Sequence, residues 1–401
     1  MRTKAKAAWV PPPADSDNLI SWFHMMRERA RIQEQPQRGE WHVFGYAEVK
    51  AVLDDHAAFS NAVSLALIPA NSPLMLFRVG NLSWMDPPRH QHLRGLVRSV
   101  FTPSYVASLT PMVRGIIQDV LDRAATRDEV AFVEEMATPI VSNVAANMVG
   151  IPPGDDQQFG RWAASLMALT DPSRAQNGME TFVIETQKMH SYLHEYIRER
   201  RAHPADDLTS RLTQVEIDSA RLSDDEIAGL IALLMNTGVT SNQLLINALI
   251  CMDQQPAVTA ALRRDPDQID SFIEEALRYR GQTPRVERFS MEDVTVGDYQ
   301  IPAGKHVSVW LSAANRDPQQ FPNPDVFDIS RSPNLHLGFG HGIHFCLGAA
   351  LARIQTAITL QRLLAVTEQV AVDYERSRLL DPRMVVGAAE LTLRIQWSTA
   401  R

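Results

Sequence analysis

A lone cysteine in a glycine-rich segment is the residue of this chain best placed to do chemistry. Residues 336–348 read HLGFGHGIHFCLG and contain Cys346, one of only 2 cysteines in 401 residues. Glycines such as Gly340 and Gly342 permit a tight loop that a flat, bulky ligand approaches closely. The residues after Cys346 predict a helix, whose first amides and dipole favour an anionic sulfur.

Several kinds of site can contain a single cysteine. A buried free cysteine is often only a small apolar residue. A zinc site needs several Cys or His ligands at fixed spacing, and no set with that spacing surrounds Cys346. A cysteine protease needs a general base and an oxyanion site, neither of which this loop suggests. A thiolate that faces a large apolar ligand fits a haem iron best.

A long apolar helix is the element most clearly predicted near such a site. Ser223 and Glu226 form a capping box, and the apolar run that follows continues to Met252. At a rise of 1.5 Å per residue, about thirty residues span roughly 45 Å. Because the run is apolar nearly all round, the helix is expected to be buried.

The remaining pattern predicts a mainly α fold with small sheets. Pro11, Pro12 and Pro13 predict a flexible arm over residues 1–18, followed by one large domain over 19–401. Other predicted elements are a strand at 41–44, a helix at 46–53, an apolar loop at 60–83, helices within 88–215, a helix at 266–280, short strands within 286–312, a helix after Cys346 and a terminal hairpin at 383–397.

Composition excludes several classes of protein. A net charge of −8 argues against general nucleic-acid binding, which requires a basic stripe. Two cysteines cannot build a disulfide framework, which favours a reducing compartment. The first residues lack an apolar core long enough for a signal peptide or anchor. We therefore expect a cytoplasmic protein that binds neither nucleic acid nor membrane.

Five motifs in order resemble those of the cytochrome P450 family. The loop residues that carry the likeness are Phe339, Gly340, Gly342, His344, Cys346 and Gly348. Four other stretches agree in order and spacing: EALR at 275–278, FDISR at 327–331, DPPRHQHLR at 86–94 and ANRDP at 314–318. The resemblance covers nearly the whole chain and implies the fold of that family, a single large helical domain with small β-sheets around a buried haem.

The resemblance also implies which residues bind the cofactor, haem b (iron protoporphyrin IX). Cys346 is then the axial thiolate ligand of the iron, with Phe339 beside the sulfur and Gly348 in the loop. The partners it implies for the two propionates are His90, Arg94, Arg288 and His344. Glu275 and Arg278 are expected to form a structural ion pair, completed by Arg331.

The long helix departs from the family's pattern. Relatives have a glycine, any residue, an acid and a threonine, whereas this chain has Gly238, Val239, Thr240 and Ser241. Gly238, Thr240 and Ser241 are therefore the catalytic candidates, and Thr240 stands where the acid is expected. A hydroxyl relays protons but is no ionisable store of them. The acid's role is vacant unless Asn242, ordered water or the substrate fills it.

The implied activity is oxidation of an apolar cyclic or aromatic secondary metabolite by a haem-thiolate monooxygenase, either by hydroxylation or by oxidative coupling. Electrons are expected from a separate ferredoxin and an NAD(P)H-dependent reductase. A hydrogen-peroxide-driven peroxygenase and a non-enzymatic haem-thiolate sensor or carrier are the alternatives. The residues expected to line the substrate pocket are Leu65, Phe77, Trp84, Asn236, Val239, Gln282, Arg285, Val286 and Ala388.

Overall fold

The computed structural model describes residues 9–62, 70, 72–152, 154–155, 158–162, 172–217 and 219–398. Its α-helices are α1 (Ser16–Arg29), α2 (Tyr46–Asp54), α3 (Arg89–Val100), α4 (Pro103–Ser108), α5 (Thr110–Ala124), α6 (Thr138–Val149), α7 (Pro172–Ala202), α8 (Leu208–Gln214), α9 (Asp224–Gln254), α10 (Pro256–Arg264), α11 (Ile269–Tyr279), α12 (Leu311–Ala314) and α13 (Ala349–Val366). Short 3-10 segments span Pro73–Phe77, Leu82–Trp84, Pro266–Gln268 and Gly342–His344, and a π-helical turn spans Val133–Ala137.

The strands are short, apart from the two near the carboxyl end. They are β1 (Ile32–Gln35), β2 (Glu40–Val43), β3 (Phe59–Ser60), β4 (Glu129–Ala131), β5 (Glu216–Ile217), β6 (Ala220–Arg221), β7 (Val286–Ser290), β8 (Val294–Val296), β9 (Tyr299–Ile301), β10 (His306–Val309), β11 (Thr367–Leu379) and β12 (Ala388–Trp397). One sheet has the order β1-β2-β10-β7-β3 and another the order β11-β12-β4. The predicted mainly α fold with small sheets is confirmed.

Helix α9 crosses the core, as its apolar run predicts. Ser223 accepts a hydrogen bond from the Glu226 amide, and the Glu226 carboxylate accepts one from the Ser223 amide, which completes the capping box. By length and composition alone this helix is able to cross a membrane, but 67% of its apolar window is buried inside the protein. A buried core helix of this kind meets the same criteria without a membrane.

A close backbone contact joins α9 to the segment at 72–84. A Cβ on Gly229 would lie 2.6 Å from the Cα of Gly80 and 2.8 Å from the carbonyl oxygen of Phe77. Such distances leave no room for a side chain at either glycine. The two glycines therefore allow the segment to lie directly against the helix.

Two boundaries predicted from the sequence are wrong. The prolines do not release residues 9–18 as an arm, since α1 begins at Ser16 with Asp15 as its cap, and the Trp9 ring packs edge-on against Trp22. The carboxyl-terminal hairpin starts at Thr367 rather than at residue 383, because β11 follows α13 without a turn signal and pairs with β12 along its length. Residues 1–8 lie outside the described part of the chain.

A buried ion-pair network lies behind the glycine-rich loop. Arg278 contacts Glu275 at 2.7 Å, both side chains are fully buried, and Arg331 lies 3.5 Å from the same carboxylate. Arg278 also donates to the carbonyl oxygens of Asn315 and Pro324 at 2.9 and 2.7 Å. The predicted pairing is thus present, and it ties α11 to the chain that leads into the loop.

Candidate active site

The glycine-rich loop has the conformation that its glycines permit. Gly340 and Gly342 have φ angles of +73° and +70°, which side chains with a Cβ rarely adopt. A Cβ on Gly342 would also lie 2.6 Å from the carbonyl oxygen of Leu53. The Cys346 amide donates to the Phe339 carbonyl at 3.0 Å, which closes the loop. Cys346 is thereby fixed just before α13, as the sequence predicts.

The surroundings of the Cys346 sulfur act on its charge in both directions. Burial raises the pKa of the thiol, while hydrogen bonds from the amides of Gly348 and Ala349 and the nearby Arg94 and Arg353 lower it. For the thiol alone the net direction of the pKa is upward. A metal ion bound to the sulfur would favour the thiolate.

Phe339 and Arg353 shield one side of the sulfur. Phe339 is buried, and the Arg353 guanidinium lies 4.7 Å from the centre of its ring. Glu274 accepts hydrogen bonds from Arg353 at 2.6 and 2.8 Å and lies 3.0 Å from His336. Burial alone would raise the pKa of Glu274, but these two partners lower it to about 2. The Arg353 guanidinium, bound by Glu274, holds the Phe339 ring against the loop.

Cationic and imidazole groups converge at the edge of a cavity of about 390 Å³. Arg288 is buried and donates to the side chain of Asn61 at 2.7 Å, and Arg94 donates to the Phe345 carbonyl at 2.5 Å. The rings of His90 and His344 lie 4.3 Å apart. The four predicted propionate partners therefore lie around one region of the fold.

The two imidazoles lack partners for buried nitrogens. Both ring nitrogens of His90 and Nε2 of His344 are buried without a hydrogen bond to any described residue. Burial lowers the pKa of His90 to about 4 and that of His344 to about 3, and it lowers the pKa of Arg288 to about 10. Buried donors of this kind require acceptors. The two carboxylates of a porphyrin would supply them, so these residues fit a haem.

Helix α9 forms the opposite wall. Thr240 and Cys346 line the same cavity, together with Leu233 and Leu234. Thr240, Ser241 and Gly238 also border a smaller cavity of about 50 Å³ that reaches Cys346. A Cβ on Gly238 would lie 3.3 Å from Val141, so this glycine leaves limited space beside α6. The three catalytic candidates are thus placed on the side that faces the thiol.

The residues expected to bind substrate fall into three groups. Trp84, Gln282 and Val286 line the cavity, and the buried Gln282 Oε1 has no hydrogen-bond partner. Leu65 lies outside the described residues, as do the side chains of Asn236 and Val239 on α9. The third group lies elsewhere, and its members are Phe77, Arg285 and Ala388.

These three residues do not line this cavity, and their place in the substrate pocket stays a prediction. Phe77 is buried with its ring 5.6 Å from His190 on α7. Arg285 contacts Glu287 at 3.0 Å and stacks over the Trp310 ring at 5.0 Å. Ala388 is a strand residue whose backbone pairs with Gln243 through two hydrogen bonds. Tertiary packing, which the local sequence does not reveal, determines each of these orientations.

Several lining residues were missed. Asn61, Leu233 and Leu234 line the cavity, and Asn61 also positions Arg288. The two leucines look like the rest of an apolar helix, so no sequence signal separates them.

Comparison with known proteins agrees with this geometry. The family model described as Cytochrome P450 matches residues 41–366. The chain is 36% identical to an erythromycin C-12 hydroxylase of Saccharopolyspora erythraea over 95% of this chain and 96% of that protein, and 36% identical to cyclomarin C epoxidase CymV of Salinispora arenicola over 86% and 88%. The solved structure of the open cytochrome P450 Eryk from S. erythraea superposes with a TM-score of 0.87 at 34% identity, covering 98% of this chain and 99% of that chain. The chain therefore belongs to the cytochrome P450 family.

Proposed function

We propose that this P450 monooxygenase binds haem b and oxidises an apolar cyclic or aromatic secondary metabolite in the cytoplasm. The observation that carries the proposal is one largely apolar cavity bounded by Cys346 on one side and by α9 on the other. Relatives named for erythromycin and cyclomarin C support a natural-product substrate. Whether the oxidation is hydroxylation or oxidative coupling depends on how the substrate lies in the cavity.

The residues around Cys346 and the cavity have separate roles in this proposal. Cys346 Sγ would ligate the iron, and haem held there supplies the activation of dioxygen. His90, Arg94, Arg288 and His344 would hold the propionates. Phe339 and Gly348 fix the distance and the environment of the sulfur. The substrate would contact Trp84, Gln282 and Val286. Gln282 Oε1 would accept a hydrogen bond from any donor group on the substrate.

The chain's own residues must also deliver protons across α9. Thr240 and Ser241 both line the small cavity next to Cys346, and each carries a hydroxyl. Each hydroxyl accepts one proton from a neighbour while passing its own onward, so no net proton is stored. Proton delivery at Thr240 Oγ1 thus requires water or a group on the substrate as the donor.

Electrons are proposed to arrive from a ferredoxin at the groove outside Cys346. Arg94, Arg98 and Arg353 line this groove together with Phe345. Arg89 begins α3, the helix that also carries Arg94 and Arg98. It donates instead to the Val79 carbonyl and lies 3.9 Å from Glu226. An acidic ferredoxin would complement the groove and not Arg89.

A charge reversal tests the electron donor. We expect Arg98→Glu to lower ferredoxin-supported turnover at low salt by about tenfold, because steering by charge changes association rates by roughly 10–10³. Arg38→Glu is the matched control, since the Arg38 side chain is 71% exposed in the turn between β1 and β2, outside the groove. Equal rates for both variants would exclude this groove as the docking face.

Binding and product mass test the substrate class. The purified holoenzyme is screened spectrally against cyclic peptides, macrolides, terpenes and aromatic compounds, and products of the binders are weighed. Gln282→Leu should weaken the binding of compounds that carry a hydrogen-bond donor and leave the binding of purely apolar compounds unchanged. A product heavier by one oxygen indicates hydroxylation or epoxidation, whereas loss of two hydrogens indicates coupling. Absence of any spectral shift would favour a haem-thiolate sensor or carrier.

One observation favours a peroxide-driven peroxygenase as the second candidate. Thr240 replaces the carboxylate that relatives use, so the use of dioxygen lacks an ionisable proton store. Turnover with hydrogen peroxide alone, at the rate supported by ferredoxin, reductase and NAD(P)H, would establish that function. A much slower peroxide reaction supports the monooxygenase.

A further inference from the structure

A cluster of two histidines and a carboxylate lies outside the haem site. His190 and His194 are one helical turn apart on α7, and Asp225 is in the first turn of α9. The imidazole rings are 4.4 Å apart, and His194 Nε2 lies 3.2 Å from Asp225 Oδ1. One ligand atom from each residue lies within 4.8 Å of the others. The cluster therefore spans two helices from different parts of the chain.

The contact between His194 and Asp225 is not an ordinary hydrogen bond. Although the two atoms are close, the buried Nε2 of His194 has no partner with hydrogen-bond geometry among the described residues. An ion pair between these two residues also leaves the adjacent His190 ring unexplained. A single centre that all three groups share accounts for both observations.

The donor set has the chemistry of a zinc site. Two imidazoles four residues apart on a helix, with a carboxylate from another element, form a common ligand set for Zn²⁺. Neutral imidazole is the form that binds metal, and burial together with the neighbouring His194 lowers the pKa of His190. Asp225 is exposed, so an ion has a path from solvent. Hard cations prefer oxygen donors and do not fit two imidazoles.

We propose that His190, His194 and Asp225 bind one Zn²⁺ ion, with water completing a tetrahedral site. In a tetrahedral zinc site with bonds of ~2.1 Å, two ligand atoms are about 3.4 Å apart. Binding therefore draws the three atoms, which now lie within 4.8 Å of one another, closer together. Rotation of the side chains is sufficient for an adjustment of this size.

The ion would fix α7 to the start of α9 beside the substrate cavity. The Phe77 ring packs edge-on against His190, and the segment 72–84 that carries Phe77 also supplies Trp84 to the cavity lining. Ligation of His190 limits the positions that this ring and its segment adopt. Occupancy of the zinc site is therefore coupled to the order of one wall of the cavity.

Calorimetric titration of the chelator-treated holoenzyme with Zn²⁺ tests the site. We expect one equivalent to bind, and we expect His190→Ala and His194→Ala each to weaken binding by at least about 100-fold, since even outer-shell changes cost about 10–100-fold. His24→Ala is the matched control, because His24 lies 3.0 Å from Asp325 in a histidine–carboxylate pair. Binding that is absent in the parent protein, or unchanged in the His194→Ala variant, would overturn the proposal.

Two further measurements locate the ion and test its consequence. Anomalous scattering at the zinc edge should give a peak between His194 and Asp225, separate from the iron, and a peak elsewhere would contradict the assignment. Zn²⁺ should also lower deuterium uptake in residues 72–84 and 187–195 of the parent protein but not of the His194→Ala variant. Equal uptake with and without Zn²⁺ would refute the coupling to the cavity wall.

Discussion

The two walls of the haem cavity are built in different ways. On the cysteine side, defined here as the loop 336–348 with α11 and residues 315–335, buried hydrogen bonds connect one element to the next. Glu275 accepts from Arg278, from the Asp328 amide at 2.8 Å and from Asn334 at 3.1 Å. Asn315 in turn accepts from the Leu337 amide at 2.7 Å, where the loop begins. This wall is specified by buried polar groups with fixed partners.

On the helix side, defined as α9 with the segment 72–84 and α7, contact is mostly apolar. The carboxyl-terminal half of α9 is held by Gln243 and Asn247, which hydrogen-bond to the backbone of Ala388 and Val386. The amino-terminal half meets the segment 72–84 through the Gly80–Gly229 contact. This wall is specified by shape, so it tolerates more variation in sequence than the other.

The two walls therefore suit different tasks: one fixes the position of the iron ligand, and the other can vary with the substrate. A polar network with fixed partners fails if one member changes, so it holds the iron ligand in one position. Apolar packing accepts substitution of similar volume, so it is suited to differences in substrate. Thr240, the main departure from the family's pattern, lies on the helix side.

The largest expected effect comes from breaking the cysteine side. Glu275→Gln leaves the Arg278 charge buried without its partner, and we expect a loss of about 3–5 kcal/mol in the free energy of unfolding together with loss of haem. Glu129→Gln is the matched control, because Glu129 and Arg376 pair with side chains that are 52% and 59% exposed, and it should cost only about 0–1 kcal/mol. Urea unfolding and haem content are the measurements. Similar losses for the two variants would show that burial does not set the contribution of the Glu275–Arg278 pair.

The next effect sharpens the role of the helix side in catalysis. If proton supply limits turnover, Thr240→Asp should raise the rate of product formation by about tenfold, below the roughly 10²–10⁴-fold that general acid catalysis contributes. Thr240→Asn is the control of similar size that carries no ionisable proton. Product formed per NAD(P)H consumed should rise for the Asp variant alone. A rise with both variants, or with neither, would reject the proton-supply hypothesis.

A smaller effect tests shape as the organising feature of the helix side. Gly229→Ala places a methyl group 2.6 Å from Gly80 Cα, and we expect a cost of about 1–3 kcal/mol and altered substrate spectra. Gly115→Ala on α5 meets no atom within 4 Å and should stabilise the protein by about 0.5–1 kcal/mol. Thermal unfolding distinguishes them. A neutral Gly229→Ala variant would mean that the segment 72–84 moves freely relative to α9.

The last prediction concerns acid sensitivity at His42 on β2, which lies outside both walls. Burial lowers the pKa of His42 to about 3, with help from the charges of Arg285 and His306, and Trp310 Nε1 donates to its Nδ1 at 3.1 Å. In the unfolded chain this histidine titrates near 6.5, so the unfolded state binds more protons between pH 6.5 and 3. The stability contributed by neutral His42 is therefore complete above pH 6.5 and is lost as the pH falls toward 3. The loss is about 1.4 kcal/mol per pH unit.

Unfolding measured at several values between pH 7 and 5 checks this slope. His42→Gln keeps an acceptor for Trp310 and removes the titrating group, so its stability should vary less with pH. An identical slope in parent and variant would place the acid-sensitive group elsewhere.

The sequence predicted the cysteine side well because its determinants are local. Gly340, Gly342 and Cys346 are close in the chain, and Glu275 and Arg278 pair within one helical turn. The sequence indicates less about the helix side, since Phe77 and Ala388 contact residues far away in the chain. The start of the terminal hairpin was also missed, because α13 passes directly into β11. His190, His194 and Asp225 form a cluster only through the packing of α7 on α9, so the sequence shows the spacing of the two histidines but not the carboxylate that joins them.

Ligation of iron by Cys346 is the central claim, and the ferrous carbonyl spectrum of the purified protein tests it most directly. The chain supplies its own control in Cys251, which is buried and whose thiol pKa is raised by burial to about 12. We predict a red-shifted band typical of thiolate ligation for the parent and for Cys251→Ser, and its loss in Cys346→Ser. A parent spectrum typical of histidine ligation, or a thiolate spectrum that survives in Cys346→Ser, would contradict the account.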